Sequence, residues 1–135
     1  MSAVLPALLL LHPGHAPARS PPVPDCPDPV TQQAMNYCAA QDYRAADRAL
    51  NAQWERTASE MKRRDAQTDA ADPATPSHFA ILLTAQRAWI ALRDAHCQSE
   101  AAAFRGGSIE PLIHATCMTT LTEQRTELLR SLLAP

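Results

Sequence analysis

Four cysteines, Cys26, Cys38, Cys97 and Cys117, constrain this chain more than any other feature. An even number in a short exported chain reads as a disulfide framework; in a reducing compartment the same residues would stay thiols or bind metal. The N-terminal residues decide between these. Residues 3–11 form an apolar run of leader length, too short to span a bilayer, and Ala16-Pro17-Ala18 places small residues at a cleavage position. No lysine or arginine precedes Arg19, so the leader is atypical or the start is misplaced. The alternative is an unstructured apolar tail. Residues 1–18 are read as a signal peptide, and the chain is expected in the periplasm or secreted. No lipobox precedes Cys26, which follows Pro22-Val23-Pro24-Asp25, so no membrane anchor is expected.

The mature part is one domain. A chain of 135 residues supports no more, and a domain this small gains from staples. Aromatic residues make up 4% and there are 3 glycines, a mix that favours helix over sheet. The net charge of -2 provides no field for nucleic acid or an anionic membrane. Eight of the 12 prolines fall within the first thirty residues, which makes residues 19–27 an extended linker and residues 28–135 the folded domain.

Three helices are expected. Asp28-Pro29 reads as a cap and first turn for a helix ending near Asp65. Its apolar stripe is Met35, Ala39, Tyr43, Ala46, Leu50, Trp54, Thr57 and Met61, with Glu60 beside Arg63 and Arg64 on a solvated face. After a polar loop, Thr75-Pro76 opens a second helix. Phe79, Leu82, Leu83, Gln86, Trp89, Ile90, Arg93, Cys97, Glu100 and Phe104 run along one side of it. Arg105-Gly106-Gly107 stops that helix and Ser108 caps the third, whose stripe is Leu112, Ile113, Cys117, Leu121, Leu128, Leu129 and Leu132. The fold class is all-α, a bundle of about three helices with two disulfides.

The cysteines also act as a ruler. Cys97 lies ten residues before Gly107 and Cys117 ten after it, so a tight antiparallel hairpin brings them level and within disulfide reach. Cys26 and Cys38 then remain, and the linker can fold back to join them, although other linker paths are open. The competing chemistry is a metal site, since the same ruler sets Glu100 opposite His114, one turn from each cysteine. In an oxidising compartment the disulfide is favoured, and no metal or other cofactor is expected. Gln86, Arg93 and Glu100 recur every seven residues on the inward face, either as an internal hydrogen-bond network or as a groove that receives a partner. Ser108, Glu110 and His114 could be written as a triad, but a cap explains Ser108 better. No other pattern points to catalysis, so the chain is not expected to be an enzyme.

Three blocks carry a resemblance. One runs Met35-Asn36-Tyr37-Cys38-Ala39, then Asp42-Tyr43, Ala46-Asp47 and Leu50-Asn51. The second is Ala85-Gln86-Arg87-Ala88-Trp89-Ile90, then Arg93-Asp94, Cys97 and Glu100; the third is Gly106-Gly107-Ser108, Cys117, Leu121-Thr122 and Arg125. Together these resemble the LprI-type lysozyme-inhibitor domain, a family of small exported bacterial proteins, over roughly residues 26–130. The resemblance implies a disulfide-bonded helical fold and a binding function, with lysozyme or another envelope protein as partner. It supplies no catalytic residues. The alternative function is a general envelope-interaction module that does not inhibit lysozyme. For either, the expected binding surface is the hairpin tip, Arg105, Gly106, Gly107 and Ser108, with the exposed side of the second helix around Arg87 and Asp94 as the other candidate.

Overall fold

The computed structural model describes residues 23–68 and 75–134. The expected leader, residues 19–22 of the linker and the centre of the polar loop lie outside them. Among the described residues there are three helices and no strand: α1 Gln32–Gln67, α2 His78–Ala102 and α3 Glu110–Ser131.

Both disulfides are formed, Cys26–Cys38 and Cys97–Cys117, each with Cα atoms 5.4 Å apart. The first corrects the expected start of α1. In a continuous helix, residues twelve apart would be about 18 Å apart. The chain must therefore double back between Cys26 and Cys38, and Asp28-Pro29 lies in that return. Thr31 caps α1 instead, its hydroxyl accepting from the Ala34 amide at 3.1 Å. Likewise Ser77, not Thr75, caps α2, accepting from the Ala80 amide at 3.1 Å. The Asp65 carboxylate takes the next free donors, the amides of His78 and Phe79, at 2.7 and 3.1 Å. That link joins the end of α1 to the start of α2.

The hairpin runs as the cysteine ruler requires. Arg125 meets Gln86, Arg93 meets Thr122, and Cys97 meets Cys117, so α3 antiparallels α2. α1 and α3 run parallel. Asn36 donates to the Ser108 carbonyl at 2.9 Å, Thr57 to the Leu129 carbonyl at 3.0 Å, and Arg64 to the Leu132 carbonyl at 3.2 Å.

Two apolar clusters form the core. Leu50, Ala58, Met61, Leu82 and Leu129 pack with Trp54, Phe79 and Trp89; Cys97, Cys117 and Met118 pack with Tyr43 and Leu121. The leucine stripe expected on α3 is only partly inside. Leu128 and Leu132 are 56% and 44% exposed, whereas Thr122 and Thr126 are buried. α3 is rotated so that these threonines point inward. They are tolerated because their hydroxyls are used: Thr126 donates to the Thr122 carbonyl, and Thr122 accepts from Arg93. Glu100 on α2 is exposed rather than inward, and Phe104, beyond the end of α2, is exposed as well. Glu100 lies on the same line of the helix as buried Leu82, so its exposure follows from its place near the end of α2 and not from drift of the repeat.

Candidate functional site

A chemically varied surface lies where the hairpin turns. A groove of about 640 Å³ is lined by Tyr43 of α1, Arg93, Asp94 and Gln98 of α2, Arg105 of the turn, and Glu110, His114 and Met118 of α3, among others. Arg93 is its anchored cation. Its side chain is 9% exposed and lies between the Tyr43 and Trp89 rings, 5.7 and 4.9 Å from their centroids. It donates to Asp94 at 2.8–2.9 Å and to the Thr122 hydroxyl at 3.3 Å, with Asp47 3.9 Å away. Burial pushes the Tyr43 phenol above its usual range, nearby Arg93 opposing and Asp47 and Asp94 reinforcing the shift.

Trp89 carries a second guanidinium, Arg125, 5.8 Å from its ring. Arg125 donates to Gln86 at 2.9 Å, and burial lowers its affinity for a proton. Two of the three inward polar residues of α2 thus form the internal network, and Asp94 extends it to the groove. Glu100 turns away to His96, 3.0 Å distant.

The hairpin tip is exposed and held from two sides. The Cys97–Cys117 bond closes the hairpin behind it, and the Asn36–Ser108 hydrogen bond ties it to α1. Gly106 adopts φ +80, a conformation open mainly to glycine, with nothing within 4 Å of where a Cβ would sit. The Ser108 cap does not form. Ile109 is the helical N-cap and carries no side-chain hydrogen bond; Glu110 instead reaches back to the Gly106 amide at 2.8 Å. Its carboxylate ties the start of α3 back to the turn, and no side chain caps the helix.

The metal alternative is overturned. Cys97 and Cys117 are bonded to each other and offer no thiolate. His96, Glu100 and the Cys117 sulfur lie within 4.8 Å of one another, but only the two exposed side chains could donate. Glu100 does not face His114: Glu100 borders a shallow depression with Leu112 and Thr116, and His114 lines the groove.

A family model described as lysozyme inhibitor LprI matches residues 26–129, from the first cysteine almost to the end of α3. The chain belongs to the lysozyme inhibitor LprI family. It is 41% identical to an uncharacterized protein of Rhizobium meliloti (strain 1021) over 134 residues, 98% of this chain and 96% of that one. No solved structure matches it. The LprI family is one of inhibitors rather than enzymes and of exported proteins, which the two disulfides fit. No helix among the described residues is long and apolar enough to cross a membrane.

In this LprI domain the two expected binding surfaces partly merge. Arg105 and Asp94 line the same groove, Gly106, Gly107 and Ser108 form the turn at its end, and Arg87 is exposed outside its lining. Sequence reasoning missed Tyr43, Gln98, Glu110 and His114 as groove residues. Tyr43 reads as core because it lies on an apolar stripe, and it is half core, packing on the cysteine cluster while bordering the groove. Glu110, four residues after Gly106, carried a signal that could have been read, a carboxylate placed to reach back over a helix start.

Proposed function

We propose that this chain is an exported lysozyme inhibitor acting in the periplasm or outside the cell, and that it engages the enzyme with the hairpin tip and the adjoining groove. The observation that carries the reading is the placement of Arg105, an exposed guanidinium on the rim of a groove at a doubly anchored turn. A lysozyme works with two carboxylates in an open cleft. Guanidinium pairs bidentately with carboxylate, and the exposed glycines beside it permit close backbone approach. Anchoring lowers the ordering needed on binding. Nothing in this action requires turnover by the inhibitor.

The second reading, an envelope-binding module without lysozyme inhibition, draws on the groove itself. It displays both signs of charge, a phenol and an imidazole, and could seat another polar partner. The oxidised protein is tested against lysozyme, followed by the Arg105→Ala/Ser108→Ala double variant with its melting temperature checked first. At unchanged stability, inhibition is expected to weaken at least about tenfold, the loss of one charge-assisted contact. Full inhibition by the double variant rules out the tip. Failure of the wild type to inhibit favours the envelope module.

A further inference from the structure

The outer face of α2 carries an apolar seam that the tip and groove do not use. Ile81, Ala85, Ala88, Leu92, Ala95 and Ser99 follow one another at alternating steps of four and three, the spacing of a helix-pairing seam, and all six are exposed. Ile81 and Leu92 are 57% and 65% exposed, while α1 and α3 cover the opposite side of the helix through Leu82, Gln86, Arg93 and Cys97. Thr84, Ala91 and Gln98 flank the seam on one edge, so no charge interrupts it there. An exposed apolar strip of this kind marks an interaction surface more often than chance scatter of single leucines does.

We propose that this face pairs with the same face of a second copy, α2 against α2 and antiparallel. The seam is self-complementary under a two-fold axis through position 90, the midpoint of α2. In that register Leu92 comes level with Ala88 of the second copy, Ala85 with its Ala95, and Ile81 with its Ser99. Every large side chain meets a small one, and the alanine layers let the helices approach closely. No ionised side chain occupies a seam position, so the pairing buries none there.

The seam runs about 27 Å from Ile81 to Ser99 at 1.5 Å per residue. A strip of that length and one helix wide buries a few hundred Å² per copy, below the roughly 800 Å² per partner of a standard interface. The dimer is therefore weak, dissociating in the micromolar range or above. Leu92 and Asp94 project on nearly opposite sides of α2, since two residues rotate the helix by about 200°. Pairing along the seam thus leaves Asp94 free and approaches the groove at its Gln98 rim, and the antiparallel arrangement sends the two hairpin tips to opposite ends.

Sedimentation equilibrium of the oxidised wild-type protein, without lysozyme, tests this separately from the inhibitor reading. The mass is expected to climb from one copy towards two as concentration approaches about 0.5 mM, within the range of weak interfaces. Leu92→Glu should weaken association at least about tenfold by placing a charge in the seam, with helicity and disulfide content unchanged. Ala85→Cys and Ala95→Cys chains, mixed and oxidised, should cross-link to each other far more readily than either does alone. A monomer throughout the range, association indifferent to Leu92→Glu, or cross-linking without pair preference overturns the proposal. So does Leu92→Glu abolishing lysozyme inhibition without altering mass, which would assign the face to lysozyme.

Discussion

At the hairpin end, Cys97, Cys117 and Met118 pack with Tyr43 and Leu121, and the Cys26–Cys38 bond closes just beyond Asn36. At the other end, Leu50, Ala58, Met61, Leu82 and Leu129 gather Trp54, Phe79 and Trp89. One end is held by covalent staples around a small core, the other by ordinary apolar packing. The stapled end also carries the groove, the exposed tip and the buried Arg93. A surface shaped for polar contact gives up apolar burial, and the disulfides replace what is lost. Fold and function are thus spread unevenly along one bundle.

The largest way to break this comparison is to remove the staple. Cys97→Ser with Cys117→Ser is expected to destabilise by about 3 kcal/mol, the loop-closure value for a ring of this size, and to loosen the tip. Thermal unfolding should show a fall of ten degrees or more, and inhibition should weaken even at temperatures where the variant is folded. The single Cys97→Ser change should leave Cys117 titratable by a thiol reagent. Leu129→Ala probes the packed end. Leu129 is wholly buried, and the change should cost about 3 kcal/mol in cavity and transfer terms while leaving the inhibition constant of the folded protein intact. Equal loss of inhibition in both variants would show that the ends are not functionally distinct.

Arg93 sharpens the same comparison. Its guanidinium ties α2 to Thr122 of α3 and to the acids of the groove. Arg93→Met keeps much of the stem but leaves Asp94 without its partner and the Thr122 hydroxyl without its donor. A loss of about 2 kcal/mol is expected, read by chemical denaturation. Unchanged stability with abolished partner binding would move Arg93 from scaffold to binding surface.

Some of this was legible in the sequence, some was not. The hairpin was, because Cys97 and Cys117 are equidistant from Gly107 and a short turn leaves little choice of register. The inward Gln86 and Arg93 were also legible, as polar residues interrupting an apolar stripe. The parallel pairing of α1 with α3 was not. It rests on side chains such as Asn36 and Thr57 finding carbonyls far along the chain, and no local pattern encodes those partners. Buried Thr122 and Thr126 were hidden because a threonine looks polar in sequence until its hydroxyl's partner is known, Arg93 of α2 for Thr122 and the Thr122 carbonyl of its own helix for Thr126. The groove was half legible. Arg105 and Asp94 were singled out on separate surfaces, and only the fold brings them together with Tyr43 from α1.

The smallest effect is expected at the packed end, where Asp65 joins α1 to α2. Burial alone would raise its pKa, but the amides of Phe79 and His78, the Ser77 hydroxyl and the nearby His78 side chain together hold it below the ordinary 3.8. A carboxylate lowered on folding stabilises above its unfolded pKa, and that contribution disappears as pH falls through the folded value. The wild-type melting temperature should therefore decline as acid is added below about pH 4, partly through this residue. Glu60, held at about 2 by Arg63 and Arg64, contributes to the same limb at lower pH. Asp65→Asn keeps the size and one acceptor but removes the charge facing the first amides of α2. It should lower the melting temperature by a few degrees at neutral pH and flatten the decline below about pH 4. The hairpin end has no part in this link, so inhibition by the folded variant should match wild type. An acid limb as steep in Asp65→Asn as in the wild type would mean that the amides of α2 are held by Ser77 alone.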